Sequence, residues 1–228
     1  MHPQLPLPFK LHEDFNFGNF IATENQLIVD SLKNTNELFV FLWGSTGTGK
    51  THLLQSTCQH QTQLGGTASY LPSKELLTTS PQILEGMANV GVVCIDDIDS
   101  LYGKTDWEEA LFNIFNQIKQ AGGRLIVSST ASPQQAQIIL NDLKSRLNSG
   151  LPLNLLTLSD ESTLKALQTR AHKLGLELNN DTANYLITHF PRDLDTLWSL
   201  LNQLDQASLA AQRKLTIPFL KATLSSHM

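Results

Sequence analysis

The segment Gly44-Ser45-Thr46-Gly47-Thr48-Gly49-Lys50-Thr51 fits the pattern G-x-x-x-x-G-K-[ST], and each fixed position has a chemical reason. Glycines let the backbone bend until successive N–H groups face one point, which suits a phosphate. Lys50 would reach the β- and γ-phosphates of a nucleotide, and the Thr51 hydroxyl would hold Mg²⁺. A helix starting near Gly49 would turn its positive end toward the same anion. A second signal lies downstream, where the apolar run Val92-Val93-Cys94-Ile95 ends in Asp96-Asp97. Asp96 could coordinate Mg²⁺, directly or through water, and Asp97 could orient an attacking water. Such a pair alone is more often a surface turn; beside a phosphate loop the functional reading wins.

These residues need a scaffold, and the hydrophobic pattern supplies one. Leu38–Trp43 is a short continuous apolar run, as expected of a strand buried on both faces of a parallel sheet. The glycine-rich loop follows at once, and Lys50–His60 reads as a helix. Ala68–Leu71, Val90–Ile95, Arg124–Ser129 and Leu153–Leu158 read as four further strands. Asp106 is the expected N-cap of a helix running to about Gln120, with Glu108 and Glu109 in its first turn. Strands alternating with helices imply βαβ units and a sheet covered on both faces. Beyond Leu158 the spacing turns helical, through Leu164, Leu167, Ala171 and Leu174, then Leu194, Leu197, Trp198, Leu201 and Leu204. A last helix is expected near Thr216-Ile217-Pro218. The predicted fold is therefore α/β, a five-stranded parallel sheet in an αβα sandwich followed by a small all-helical lid. The expected divisions are an extended tail over 1–12, a nucleotide-binding domain over 13–158 and a lid over 159–228.

Composition narrows the class. The chain has 228 residues, 41% hydrophobic and 16% charged, with a formal net charge of -5. That is ordinary for a globular protein, and the negative balance argues against gathering nucleic acid over the surface as a whole. Cys58 and Cys94 lie in apolar or helical stretches and read as buried thiols of a reducing compartment. The seven histidines show no metal-ligand spacing. No apolar run is long enough to cross a bilayer and no signal core opens the chain, so a cytoplasmic protein is expected. Trp43, Trp107 and Trp198 read as packing residues.

With these motifs in view, the chain resembles the AAA+ family, a P-loop fold, and within it the bacterial DnaA group with its short Hda-type members. Phe15-Asn16-Phe17-Gly18-Asn19-Phe20, followed by Asn25-Gln26-Leu27, is similar to the family's nucleotide-base segment. The resemblance implies that Phe20, Ile21 and His52 join the phosphate loop in holding ADP or ATP. Ile95-Asp96-Asp97-Ile98 matches the group's acidic strand. Leu143-Lys144-Ser145-Arg146, with Gly150-Leu151 behind it, matches the box of the arginine finger, so Arg146 would act in trans on a neighbouring nucleotide. Pro191-Arg192-Asp193 matches the lid sensor, which implies that Arg192 contacts the chain's own nucleotide.

Two features resemble the short members rather than the initiator. No helix-turn-helix domain for duplex DNA follows the lid, so sequence-specific DNA binding is not expected. Gln4-Leu5-Pro6-Leu7-Pro8-Phe9 resembles the tail that docks on the sliding clamp, the β subunit of DNA polymerase III, and a proline-stiffened segment loses little entropy on docking. Gln4, Leu5, Leu7 and Phe9 would be its anchors, DnaA the second partner, and self-assembly of this chain is also open. One position departs from the pattern: relatives carry a polar sensor after the fourth strand, often Asp or Asn, where this chain has Thr130. A hydroxyl can bond a phosphate or a water but brings no charge, so weak intrinsic hydrolysis is expected. Two other readings stay open: a helicase-loader adaptor, and a free-standing ATPase or small-molecule kinase.

Overall fold

Successive side chains of β1 (Phe39–Trp43) point to opposite faces of a sheet, and both faces are apolar. Phe39 and Phe41 join Val93, Ile95, Leu125 and Val127 in one core layer. Val40 and Leu42 join Val92, Cys94 and Ile126 in the other. This two-sided burial is why the central strands read as unbroken apolar runs. The structure, a computed structural model, describes residues 11–34, 37–211 and 214–224. The proposed clamp anchors Gln4, Leu5, Leu7 and Phe9 lie outside them.

The strands β2 (Ala68–Pro72), β3 (Val92–Asp96), β4 (Arg124–Ser129) and β5 (Leu151–Asn154) complete a five-stranded sheet in the order β2-β3-β4-β1-β5. Every pairing is parallel. Trp43 lies opposite Ser129, Ile95 opposite Val127 and Pro72 opposite Asp96, so the strands' carboxyl ends share one edge. Pro152 lacks an N–H and sits on edge strand β5, where its loss to the ladder is tolerated. Helices α1 (Gln26–Lys33) and α2 (Lys50–Gln63) cover one face with Val29, Leu32, Leu53 and Leu54. A short α3 (Ser73–Leu76) follows β2, and α4 (Thr105–Ala121) with α5 (Asn141–Asn148) covers the second face. Arg124 is buried at the foot of β4 and donates to the carbonyls of Ser31, Leu32 and Glu37 at 3.1, 2.7 and 2.9 Å.

Three sequence expectations are corrected. Val90 is not in β3, because its N–H closes a turn on the Met87 carbonyl. The fifth strand runs over Leu151–Asn154 rather than on to Leu158. Leu156 cannot extend the ladder, since the buried Asn25 side chain takes both its carbonyl and its N–H at 2.9 Å. Asp106 is not the N-cap of α4: Lys104 occupies that place and its carbonyl accepts from Trp107 and Glu108. Glu108 instead turns inward, and its buried carboxylate accepts from the N–H groups of Gly103, Ile139 and Leu140. It thereby ties the entry of α5 to α4.

The chain divides into two compact units between Leu156 and Thr157. The second holds α6 (Asp160–Lys173), α7 (Asn180–His189), α8 (Leu194–Ala211) and α9 (Ile217–Leu224). Ser159 and Asn179 cap α6 and α7 by accepting from Ser162 and Thr182, and the Asp193 carboxylate accepts from the N–H of Thr196 in the first turn of α8. Leu167, Ala171, Leu186, Leu197, Leu201 and Leu204 form its own core. Among the described residues no helix is long and apolar enough to cross a membrane, and no group of three or more His, Cys, Asp or Glu could hold a metal.

Candidate functional site

The loop grows directly out of β1. Gly44 donates its N–H to the Ser129 carbonyl at 3.2 Å, and a Cβ at Gly44 would lie 2.4 Å from the Leu155 carbonyl oxygen. Only glycine fits that approach. Gly49 has φ 94°, in the left-handed region, and a Cβ there would lie 2.8 Å from the ring of Phe20. Phe20, expected to serve the base, therefore packs on the last glycine of the phosphate loop. Lys50 is buried, its ammonium 2.8 Å from the Gly44 carbonyl and 3.1 Å from that of Ser45. The hydroxyl of Thr48 also turns back, to the Ser45 carbonyl at 2.9 Å.

Below the loop, Asp96 gathers hydroxyl protons. Its Oδ2 accepts from Thr51 and from Tyr70, each at 2.7 Å, and its Oδ1 accepts from Ser128. Ser128 in turn accepts from the N–H of Asp97 at 2.8 Å. Asp97 has φ 53°, a left-handed turn that aspartate tolerates better than most residues. Burial first, then the charge of Asp96, raises the Asp97 pKa, while Lys50 opposes the shift. Burial and the Asp96 charge likewise push the Tyr70 phenol far up.

The direction of these protons decides what the site can bind. A carboxylate offers about four lone-pair positions, and three on Asp96 are filled. Thr51 has spent its only proton on Asp96, so its remaining lone pairs can face a cation. Hard oxygens of this kind suit a divalent cation such as Mg²⁺, which Thr51 and Asp96 could hold.

The segment before α1 is laid along α2. His52 stacks on Phe15 with centroids 4.8 Å apart, meets Phe20 edge-on at 5.4 Å, and its Nε2 lies 2.9 Å from the Asn16 carbonyl. His12 donates its N–H to Gln55 and accepts from Gln59, at 2.8 and 2.7 Å. Ile21 follows Phe20 and is half-buried. Of the expected base-side residues, Phe20 is thus brought together with His52 and with Gly49, and Ile21 is its neighbour in the chain.

Comparison with known proteins decides the family. Residues 11–154 match the bacterial DnaA ATPase domain, and residues 160–224 match the Hda lid domain. The chain belongs to the DnaA-related AAA+ family. An uncharacterised protein of Haemophilus influenzae is 42% identical over 230 residues, spanning 99% of this chain and 100% of its own. Domain III of the Thermotoga maritima replication initiation protein DnaA superposes with a TM-score of 0.82 at 22% identity, covering 96% of this chain and 98% of that one. AMPPCP-bound DnaA from Aquifex aeolicus gives 0.74 at 22% identity, over 87% and 67%. These superpositions establish the shared fold.

The remaining expected residues of this DnaA-related chain are spread more widely. Thr130 is exposed just beyond β4, and its N–H and hydroxyl both go to Asp99. Arg146 lies half-buried on α5, its guanidinium 5.7 Å from the centroid of Phe115 and 6.0 Å from that of Phe112. Stacking of this kind holds a planar cation in place without a carboxylate. Arg192, in the second unit, pairs with Asp160 at 2.7 Å, both largely exposed, so the pair contributes little and can open. Sequence reasoning missed Tyr70, Ser128 and Asp99. The signal for Ser128 was the pair of hydroxyl residues, Ser128 and Ser129, that closes the apolar run of β4.

Proposed function

We propose that this chain is a nucleotide-bound regulator of replication initiation that acts on DnaA. The joint match carries the reading: a DnaA-type ATPase domain is followed in one chain by an Hda-type lid. ADP or ATP would sit on Gly44, Ser45, Thr46, Gly47, Thr48, Gly49 and Lys50, with Thr51 and Asp96 toward Mg²⁺ and Phe20, Ile21 and His52 toward the base. The proton directions at Thr51 and Asp96 support that placement. Lys50 would exchange the two loop carbonyls for phosphate oxygens, and Asp97 would orient a water. Arg192 would leave Asp160 for the same nucleotide. The division into 1–12, 13–158 and 159–228 gives tail, nucleotide domain and lid their separate tasks.

In this reading the first residues dock on the polymerase sliding clamp through Gln4, Leu5, Leu7 and Phe9, in the cytoplasm. Arg146 then stabilises charge developing on the γ-phosphate of ATP held by DnaA, an effect of roughly 10³–10⁵ in rate in known phosphoryl transfers. The test is ATP hydrolysis by DnaA on clamp-loaded DNA, with the full chain, a chain lacking residues 1–10, and Arg146→Ala. The full chain should stimulate and both variants should not. Equal stimulation by Arg146→Ala removes the finger, and equal stimulation by the shortened chain removes the tether.

A further inference from the structure

We propose that three residues on one stripe of α4, Glu108, Phe112 and Phe115, are positioning residues for Arg146, setting its guanidinium in place before a partner docks. The inference rests on the reading that Arg146 acts in trans on the partner's nucleotide. Spacings of four and three residues put successive side chains on one face of a helix, and 108, 112 and 115 follow that spacing. That face is turned to α5, which carries Arg146.

The stripe holds α5 at two points. At its entry, the buried Glu108 carboxylate accepts the N–H groups of Ile139 at 3.0 Å and Leu140 at 2.7 Å, and Leu140 is the N-cap of the helix. The same carboxylate accepts from Gly103 at 2.8 Å, which pins it to the turn before α4. Farther along, the guanidinium carbon of Arg146 lies 5.7 Å from the Phe115 centroid and 6.0 Å from that of Phe112, within reach of cation–π attraction. Phe115 is 5% exposed and meets Phe39 of β1 edge-on at 4.9 Å, so the seat is anchored in the core. Leu143 and Leu147, before and after Arg146 in sequence, are buried and fix the rotation of α5.

A seat made of rings differs from a carboxylate partner in what it leaves free. Among the described residues no carboxylate pairs with Arg146. A carboxylate would take up guanidinium N–H groups, which are the donors a phosphate needs. The rings attract the charge through their faces and leave those donors for phosphate oxygens. A loose arginine would have to give up its rotamer freedom inside the docked complex before it could act. The seat removes that loss in advance, so its effect belongs to the catalysed rate and not to the affinity between partners.

Two measurements on the full chain test the seat, and Phe112, half-buried at its edge, is the residue to change. In protein labelled with heavy nitrogen at its arginines, the Arg146 Nε–H NMR signal is assigned by its loss in Arg146→Ala. It should move toward the value of a free arginine in Phe112→Leu and stay near its wild-type position in Phe112→Tyr. In ATP hydrolysis by DnaA on clamp-loaded DNA, Phe112→Leu should lower the maximal stimulated rate about threefold, the size of one exposed cation–π contact. The concentration of this chain that gives half-maximal stimulation should stay within about twofold, and Phe112→Tyr should restore the rate. A signal that does not move, a maximal rate unchanged or raised, or a loss confined to the half-maximal concentration would overturn the seat. Wild-type stimulation by Arg146→Ala would instead overturn the finger reading and the proposal with it, whatever the NMR signal does.

Discussion

Thr51→Val removes one hydroxyl and keeps the branched shape of the side chain. That hydroxyl donates to Asp96 at 2.7 Å, and Asp96 is only 4% exposed. A hydrogen bond to a charged group contributes about 1.5–3 kcal/mol, and more is lost when the charge is left without partners. Here Asp96 keeps Tyr70 on the same oxygen and Ser128 on the other, so the lower part of that range applies. The expected destabilisation of the ligand-free protein is about 1.5–2 kcal/mol, or roughly 3–8 °C in Tm for a chain of this size. Urea unfolding measures it, with an unchanged m-value showing that the compared states are the same. Nucleotide affinity in EDTA should stay near wild type, whereas the gain on adding Mg²⁺ should shrink about tenfold or more. Unaltered stability would mean that the bond from Thr51 to Asp96 adds nothing. An intact Mg²⁺ gain would place the cation elsewhere.

Two further substitutions test the frame around the loop. Gly44→Ala puts a methyl 2.4 Å from the Leu155 carbonyl, backbone that can move only with the end of β5, so about 1–3 kcal/mol of stability should be lost along with nucleotide binding. Thermal melts and ADP titration check both, and an alanine variant that binds normally would refute the close approach. Arg124→Met strands the carbonyls of Ser31, Leu32 and Glu37, for an expected loss of about 3–5 kcal/mol by denaturant titration, with little change in nucleotide affinity of the folded fraction.

Much of the fold could be read in advance because its signals are local. Strands buried on both faces leave continuous apolar runs, as in β1 and β4, and the helices of the second unit leave leucines at regular spacing. The phosphate loop was legible for the same reason, since its glycines and Lys50 are adjacent in sequence. What escaped depends on pairings distant in the chain. Tyr70 looks like any strand aromatic until β2 pairs with β3 and brings its hydroxyl to Asp96. Glu108 reads from sequence as a first-turn residue favoured by the helix dipole, but two of its three backbone partners lie some thirty positions on. The end of β5 was misjudged because Asn25, far upstream, claims the backbone of Leu156.

The hydroxyl protons around the crevice follow one rule that joins these parts. Thr51, Tyr70 and Ser128 give theirs to Asp96, and Ser129 and Thr130 give theirs to Asp99. Two carboxylates thus take five hydroxyl protons at the sheet's carboxyl edge, and those five oxygens are left to act as acceptors. The loop above is the opposite, with backbone N–H groups, a helix N-terminus and the Lys50 ammonium. A triphosphate needs donors and a divalent cation needs acceptors. On the proposed reading the two surfaces would sort a metal nucleotide, anion to the loop and cation to the strands. Tyr70→Phe would remove a donor from Asp96 without touching the loop, so any loss it causes should appear in the Mg²⁺ dependence of binding and not in metal-free affinity.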